Sequence, residues 1–214
     1  MRLATGLIAI LGFAAPVAAR GEGSGHFLFT GDGIAEGEDR FGFGIAVLTG
    51  DAGSGSFGAL PMFDVRYGRG LAGPIDLRLS LDTLFIYNSF DAGVGIALAQ
   101  TPSFGLGARA GVSGTFIIAG AFYGVIAATP GLVATLRGET VAFSLGADVP
   151  MYLNGFVIST SGANTAAGFV PSIRPCVTFE AGLEAKFYLR GEMTIYFVSA
   201  ESPVLATISA GVHF

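Results

Sequence analysis

Few residues in this chain could carry acid–base or nucleophilic chemistry. There are two histidines, His26 and His213, and one cysteine, Cys176. Ser209 precedes His213 by four positions, so both side chains belong to one face of an extended strand. A Ser–His pair also needs an orienting carboxylate and an oxyanion site, and nothing at this spacing suggests either. We therefore predict no catalytic site.

An acidic segment near the N-terminus is the only place where a metal site could be considered. It contains Asp32, Glu36, Glu38 and Asp39. Oxygen-rich loops can bind Ca²⁺, but this segment lacks the spacing of the twelve-residue EF-hand loop. We interpret it as a solvated acidic loop and predict neither a metal nor a cofactor. The single cysteine excludes an intramolecular disulfide and zinc-finger spacing.

The composition indicates a non-aqueous environment, a very large buried interface, or both. Hydrophobic residues make up 51% of the 214 residues, charged residues only 13%, and there are 34 glycines. An ordinary soluble domain carries roughly 25% charged residues. No apolar stretch after the N-terminus reaches the roughly 20 residues of a membrane helix, so the apolar content must lie in strands. The net charge of −5, without a basic stripe, argues against nucleic acid as a partner.

The first nineteen residues have the order of a signal peptide. Arg2 precedes an apolar run from Leu7 to Ala15, and Val17-Ala18-Ala19 follows with small residues suited to a peptidase site. The apolar run is short for a membrane span, which favours removal over a permanent anchor. We predict that residues 1–19 are cleaved and that residues 20–214 form one domain.

The dominant signal in the rest of the chain is alternation with a period of two. In Ile75–Asp82 every odd residue is aliphatic and every even one is polar, and 177–187 repeats this pattern. About twelve strands are predicted, with eight or ten as alternatives, and the first and eighth are the least secure. The predicted ranges are 26–31, 41–49, 56–67, 75–87, 91–100, 103–113, 116–128, 131–137, 140–149, 176–189, 192–200 and 203–214.

The predicted turns set the two ends of such a sheet. The near-copies Leu136–Thr140 and Leu189–Met193 each place a glycine between two strands and predict tight turns. If the sheet is a membrane barrel with an even number of strands and both termini on the periplasmic side, both turns are periplasmic. The longest connection, 150–175, is rich in Ser, Asn, Gly and Ala. It is predicted to be a long loop at the outer surface.

The faces opposite the aliphatic positions carry charges and many glycines. A basic residue that faced lipid at mid-membrane would cost roughly 2–4 kcal/mol, so such segregation fits a barrel with a polar interior. A soluble β-sandwich has the reverse arrangement, with its apolar face inside, and periodicity alone does not separate the two. The aliphatic fraction, the signal peptide and the end of the chain favour the barrel. Two interpretations remain open for these charges, a salt-bridged plug and a narrow hydrated passage. The candidate lumen-lining residues are Asp64, Arg66, Asp76, Arg78, Asp82, Arg109, Asp148, Glu180, Glu184 and Lys186.

The end of the chain resembles bacterial outer-membrane β-barrel proteins, whose last strand alternates apolar residues and ends in an aromatic one. Ile208, Ala210, Val212 and Phe214 form this pattern. The resemblance implies an antiparallel up-and-down transmembrane barrel in the outer membrane. It also implies contact with outer-membrane lipid and recognition of the last strand by the barrel-assembly machinery. The chain departs from the usual composition in having no tryptophan.

Three functions remain open at this point. The leading hypothesis is a structural or narrow porin-like barrel with a small, charged, glycine-lined interior. The second is a binding or adhesion barrel that acts through its outer loops, chiefly 150–175. An enzyme that modifies membrane lipid is the least favoured, and neither the solute nor the oligomeric state follows from these patterns.

Overall fold

The computed structural model describes residues 29–51, 56–118, 121–159, 162–182, 185–197 and 204–214. Among these residues no helix is long and apolar enough to cross a membrane. The strands are β1 (Asp39–Asp51), β2 (Ser56–Ala72), β3 (Ile75–Leu84), β4 (Tyr87–Gln100), β5 (Phe104–Ile118), β6 (Phe122–Ala128), β7 (Gly131–Arg137), β8 (Val141–Asp148), β9 (Met151–Ser159), β10 (Gly162–Gly182), β11 (Lys186–Tyr196) and β12 (Val204–His213).

These strands form a closed antiparallel barrel of ten staves, where a stave is one full-length wall strand. β5 pairs with β6 along its second half and with β7 along its first half, in one continuous register on both sides of Pro130. β8 and β9 likewise form one stave interrupted at Pro150, and both pair with β10. A proline has no N–H to give to the ladder, which explains both interruptions. Pairing of β12 with β1 closes the barrel.

The predicted all-β, up-and-down antiparallel barrel is confirmed. The twelve strand segments form a wall of ten staves, because two of the staves are each interrupted and consist of two segments. Ten was the alternative strand count predicted from the sequence. The predicted first strand, 26–31, is wrong in its described part, since residues 29–31 form bends and turns inside the barrel.

The predicted turn at Leu189–Met193 is wrong, because these residues lie in the middle of β11. The chain reverses earlier, between β10 and β11, where Gly182 has a φ of 142°. The alternation through 177–187 therefore belongs to two strands of a hairpin and not to the single predicted strand 176–189. In contrast, Leu136–Thr140 does contain a tight turn, in which Gly138 N–H donates to Val141 O at 2.8 Å.

The predicted outer loop 150–175 is also wrong, since 151–159 and 162–182 are strands that pair with each other. Ser, Asn and Gly are poor strand formers in isolation, but here each strand has a barrel neighbour on both sides, and this tertiary context outweighs intrinsic propensity. The predicted break between 113 and 116 likewise falls inside β5.

The outer face of the barrel is apolar and the inner face is polar or small. Ile45, Leu145 and Ile208 are each at least 60% exposed, whereas Ala46 and Asp64 on the opposite face are fully buried. Two groups of aromatic residues lie at the ends of this apolar band. Phe41 contacts Phe214 where β1 begins and β12 ends, which we call the terminus end. Phe90, Phe116, Phe122 and Phe156 contact one another near the opposite, distal end. An outward apolar band with aromatic girdles is the arrangement of a transmembrane β-barrel.

Candidate functional site

The candidate site is the lumen, whose terminus half is occupied by residues 29–36, a segment we call the plug. Three of its backbone N–H groups donate to side chains on three separate staves. These bonds are Phe29 N–H to Glu180 Oε2 at 3.1 Å, Gly31 N–H to Thr135 Oγ1 at 3.0 Å, and Ile34 N–H to Asp76 Oδ2 at 3.3 Å. Because the partners belong to β10, β7 and β3, the plug crosses the barrel from wall to wall.

Glycines in the wall and in the plug allow this close approach. A β-carbon on Gly31 would lie 2.6 Å from Val133 O and 2.7 Å from Gly107 N, both in the wall backbone. A β-carbon on Gly105 would collide with the Asp32 carboxylate. The glycine-lined interior predicted from the sequence is therefore partly taken up by the chain itself at this end.

Phe29 is the first described residue of the plug and lies inside the lumen. It is 8% exposed, and its ring lies 5.0 Å from the Tyr188 ring, centroid to centroid. The guanidinium carbons of Arg66 and Arg190 lie 5.7 and 5.1 Å from the Phe29 centroid. These are cation–π distances, so Phe29 is held by two lumen arginines as well as by apolar contact.

The acidic segment is not a solvated loop throughout. Asp32 is buried, and its Oδ2 lies 2.5 Å from Arg137 Nη1, a close ion pair without the geometry of an aligned hydrogen bond. Arg137 Nε in turn donates to Pro102 O in the turn between β4 and β5. Glu36 and Asp39, by comparison, are exposed. No group of three or more metal-ligating side chains is present among the described residues.

His213 and Ser209 do not form a pair. Both are buried on the lumen side of β12, but four residues of strand separate them by roughly 13 Å, which is beyond hydrogen-bond reach. His213 Nε2 lies instead 2.7 Å from Glu180 Oε1. Local sequence patterns do not reveal this carboxylate, because the two residues are 33 positions apart. His26 lies outside the described residues.

Tyr188 ties two distant staves together across the lumen. Its hydroxyl donates to Asp64 Oδ2 at 2.9 Å, and both residues are fully buried. The path between them passes over Gly211, where a β-carbon would lie 2.7 Å from the Tyr188 hydroxyl oxygen. The two intervening staves, β12 and β1, place Gly211 and Gly44 in this row, so the bond depends on small residues between Tyr188 and Asp64.

We expect Tyr188→Phe to lower the free energy of unfolding by about 1.5–3 kcal/mol, the range for a hydrogen bond to a charged group. Urea unfolding of the refolded barrel, followed by its heat-modifiable gel mobility, measures this change. Tyr67→Phe is the matched control, because the Tyr67 hydroxyl donates to Asp39 in an exposed contact. Equal effects of the two variants would contradict the assignment.

The distal half of the lumen contains a cavity of about 140 Å³. Phe29 of the plug forms part of its floor. Its wall carries a belt of ion pairs, some within one strand and some between different staves. These pairs are Arg66 with Asp64 and Asp82, Arg78 with Asp76, Arg109 with Asp148, Arg174 with Asp148 and Asp91, and Arg190 with Glu192.

The centre of this belt is Asp148. It accepts two bonds from Arg109, at 2.6 and 3.0 Å, and is approached by Arg174 Nη2 at 2.8 Å. Arg174 Nη2 also donates to Asp91 Oδ2 at 2.6 Å, which connects β10 with β4 on the far side of the barrel. The interior charges are thus joined in a network and do not stand singly.

Most of the candidate lumen-lining residues face the lumen. Those with side chains on the lumen side are Asp64, Arg66, Asp76, Arg78, Asp82, Arg109, Asp148, Glu180 and Lys186. Glu184 lies outside the described residues. The sequence prediction missed Asp91, Arg174, Arg190 and Glu192. The last three were assigned to a loop and a turn, although the period-two series Tyr188, Arg190, Glu192, Thr194 could have identified β11.

The last strand presents its apolar series outward. Ile208, Val212 and Phe214 are exposed on the outer face, and Ala210 is half-buried between them. Phe214 exchanges two backbone hydrogen bonds of 3.0 Å with Phe41 at the seam of the barrel. The terminal residue therefore takes part in barrel closure.

No protein-family model matches this chain, and no curated protein matches it. Among solved structures it is similar to outer-membrane β-barrel proteins. Neisserial surface protein A is 9% identical with a TM-score of 0.42, over 82% of this chain and 95% of that one. Ail, the attachment invasion locus protein of Yersinia pestis, is 11% identical with a TM-score of 0.35, over 84% and 99%. The Pseudomonas putida toluene transporter TodX is 9% identical with a TM-score of 0.31, over 82% and 88%. These values concern the type of fold and carry no argument about activity.

Proposed function

We propose that this chain is a bacterial outer-membrane barrel that forms a narrow passage for small polar solutes, closed at the terminus end by the plug. The observation that carries the proposal is a polar cavity in the distal lumen above a segment that is not part of the wall. In a barrel of ten staves the interior is narrow, so a single chain segment is enough to block it.

The contacts of the plug are of a kind that can be broken and remade. Inside the lumen they consist of a few hydrogen bonds, one ion pair and the contacts of Phe29. At the end of the plug, Glu36 forms a single isolated bridge with Gly70 of β2. The wall is held by continuous pairing between neighbouring staves. Departure of the plug would therefore leave the wall intact.

A disulfide between plug and wall tests this gate. A β-carbon on Gly33 would lie 3.4 Å from Ala97 Cβ, close to the roughly 3.5–4.5 Å of disulfides. We expect the triple variant Gly33→Cys, Ala97→Cys, Cys176→Ser to show no openings in planar bilayers when oxidised, and discrete conductance steps after reduction. Gly33 has a φ of 73°, so cysteine costs about 1–2 kcal/mol there, less than the bond contributes.

The single variant Cys176→Ser, taken through the same redox cycle, is the control and should conduct equally in both conditions. A chain that is silent in every condition would contradict the channel and leave a structural barrel. Equal conduction of the oxidised and reduced triple variant would contradict the gate.

Export and assembly are part of the same proposal. Removal of residues 1–19 as a signal peptide would deliver residues 20–214 for insertion. The outward series Ile208, Val212 and Phe214 supports recognition of the last strand by the assembly machinery, and the outer apolar band supports contact with lipid. Cell fractionation and N-terminal sequencing of the mature protein test both steps.

A further inference from the structure

The distal cavity is rich in hydroxyl groups. Seven serine and threonine residues from several staves line it. They are Ser80, Ser89, Ser113, Thr115, Thr129, Thr194 and Thr207. A hydroxyl group both donates and accepts hydrogen bonds. A wall of hydroxyl groups can therefore form hydrogen bonds with a solute whose own groups are donors as well as acceptors.

The charges that line the cavity compensate one another. Five arginines among the described residues contribute to the wall, and each of them forms an ion pair with a carboxylate. Three of these carboxylates lie on the same strand as their arginine, whereas Asp148 on β8 pairs with Arg174 of the adjacent β10 and with Arg109 of β5, on the far side of β7. To bind an arginine, an anionic solute would have to displace the carboxylate that is paired with it. To bind a carboxylate, a cationic solute would have to displace the paired arginine. Breaking a buried pair is costly because it leaves one charge uncompensated. The belt therefore disfavours solutes with a net charge.

The distal side of the cavity is less polar. Tyr87, Tyr152 and Tyr196 line it together with Leu48 and Met62. Tyr152 and Tyr196 lie with ring centroids 5.2 Å apart, and their hydroxyls are 3.0 Å from each other. Aromatic rings with polar tips suit a molecule that has both C–H and hydroxyl surfaces.

We propose that this cavity is a binding site for a small neutral polyhydroxylated molecule, of the size and chemistry of a monosaccharide. The proposal rests on the proposed passage, since it names the class of solute that the same cavity would admit. The hydroxyl wall and the paired guanidinium and carboxylate groups bind the hydroxyls, and the tyrosines contact the C–H face.

Saturation-transfer-difference NMR on the refolded full mature chain tests the proposal. The detergent must carry no sugar headgroup, so an amine-oxide detergent is used. Glucose, its carboxylate analogue gluconate and its amine analogue glucosamine are compared at equal concentration. We expect saturation of glucose signals and weaker saturation of both charged analogues.

Thr115→Val and Thr207→Val remove a lining hydroxyl while keeping the side-chain shape. Each should weaken glucose binding about two- to tenfold, the range for one hydrogen bond between neutral groups. Thr49→Val, on the exposed outer face of β1, is the matched control and should change nothing. Any of three results would overturn the proposal. These are the absence of a glucose signal, equal signals for the three solutes, and glucose binding that is unchanged in Thr115→Val and Thr207→Val.

The two proposals fail separately. If the reduced triple variant conducts ions but the barrel does not bind glucose, the passage is supported and the proposed class of solute is wrong. If the barrel binds glucose and the lining variants weaken that binding, but the barrel never conducts, the binding site is supported and the passage is wrong.

Discussion

Gly31→Val is expected to displace the plug and raise the open probability of the barrel in planar bilayers. A β-carbon at this position meets Val133 O and Gly107 N, and these two residues pair with each other in the ladder between β7 and β5. The wall cannot retreat without breaking that pairing, so the plug segment must move. Overpacking of this kind costs about 1–3 kcal/mol. That cost shifts the balance between plugged and unplugged states by roughly 5- to 150-fold.

Gly58→Val on β2 is the matched control, because nothing lies within 4 Å of a β-carbon there. It should refold and conduct like the parent. Gly31→Val should also keep heat-modifiable mobility, since the substitution lies outside the wall. An unchanged open probability in Gly31→Val, in a protein that does conduct, would mean that the plug is not the barrier.

Asp148→Ala is expected to cause the largest loss of stability of any substitution considered. The change leaves Arg109 without its bidentate partner and Arg174 with Asp91 alone. Removing one member of a buried pair costs about 3–5 kcal/mol, and because Arg109 faces the cavity we expect a value near 3 kcal/mol. The midpoint of urea unfolding measures the loss.

Two comparisons show whether the uncompensated charge is the cause. Asp39→Ala breaks the exposed pair with Arg69, in which both side chains are about half exposed, and should cost less than about 1 kcal/mol. The double variant Arg109→Met, Asp148→Leu removes both charges and should recover much of the lost stability. A double variant as unstable as Asp148→Ala would point to lost packing as the cause.

The predictions that held depend on short stretches of sequence. The alternation in Ile75–Asp82 places Asp76 and Arg78 on one face and Leu77 and Leu79 on the other, and any twisted two-faced sheet preserves that separation. The predictions that failed are those that placed a turn or a loop, where the chain reverses direction, on the basis of local amino-acid composition. Gly191 between two charged residues was taken for a turn. In the barrel it is a strand position that pairs with Val177 of β10.

The plug could not have been predicted from local patterns. Phe29 is bound to Glu180 and Tyr188, about 150 positions away, and Asp32 is paired with Arg137. Considered alone, residues 26–31 are a short apolar segment, and this local pattern predicts a strand. Only the closed wall, with glycines at the contact points, shows that this segment has a place inside the barrel.

Residue order therefore decided which side chains face outward, the apolar band and the polar character of the interior, because alternation along a strand is a local property. Barrel closure decided which interior groups meet. It paired Arg174 with Asp91 across the lumen, set Glu180 beside His213, and divided the lumen into a plugged half and a cavity. These contacts join staves far apart in sequence, and their geometry exists only once the sheet has curved onto itself.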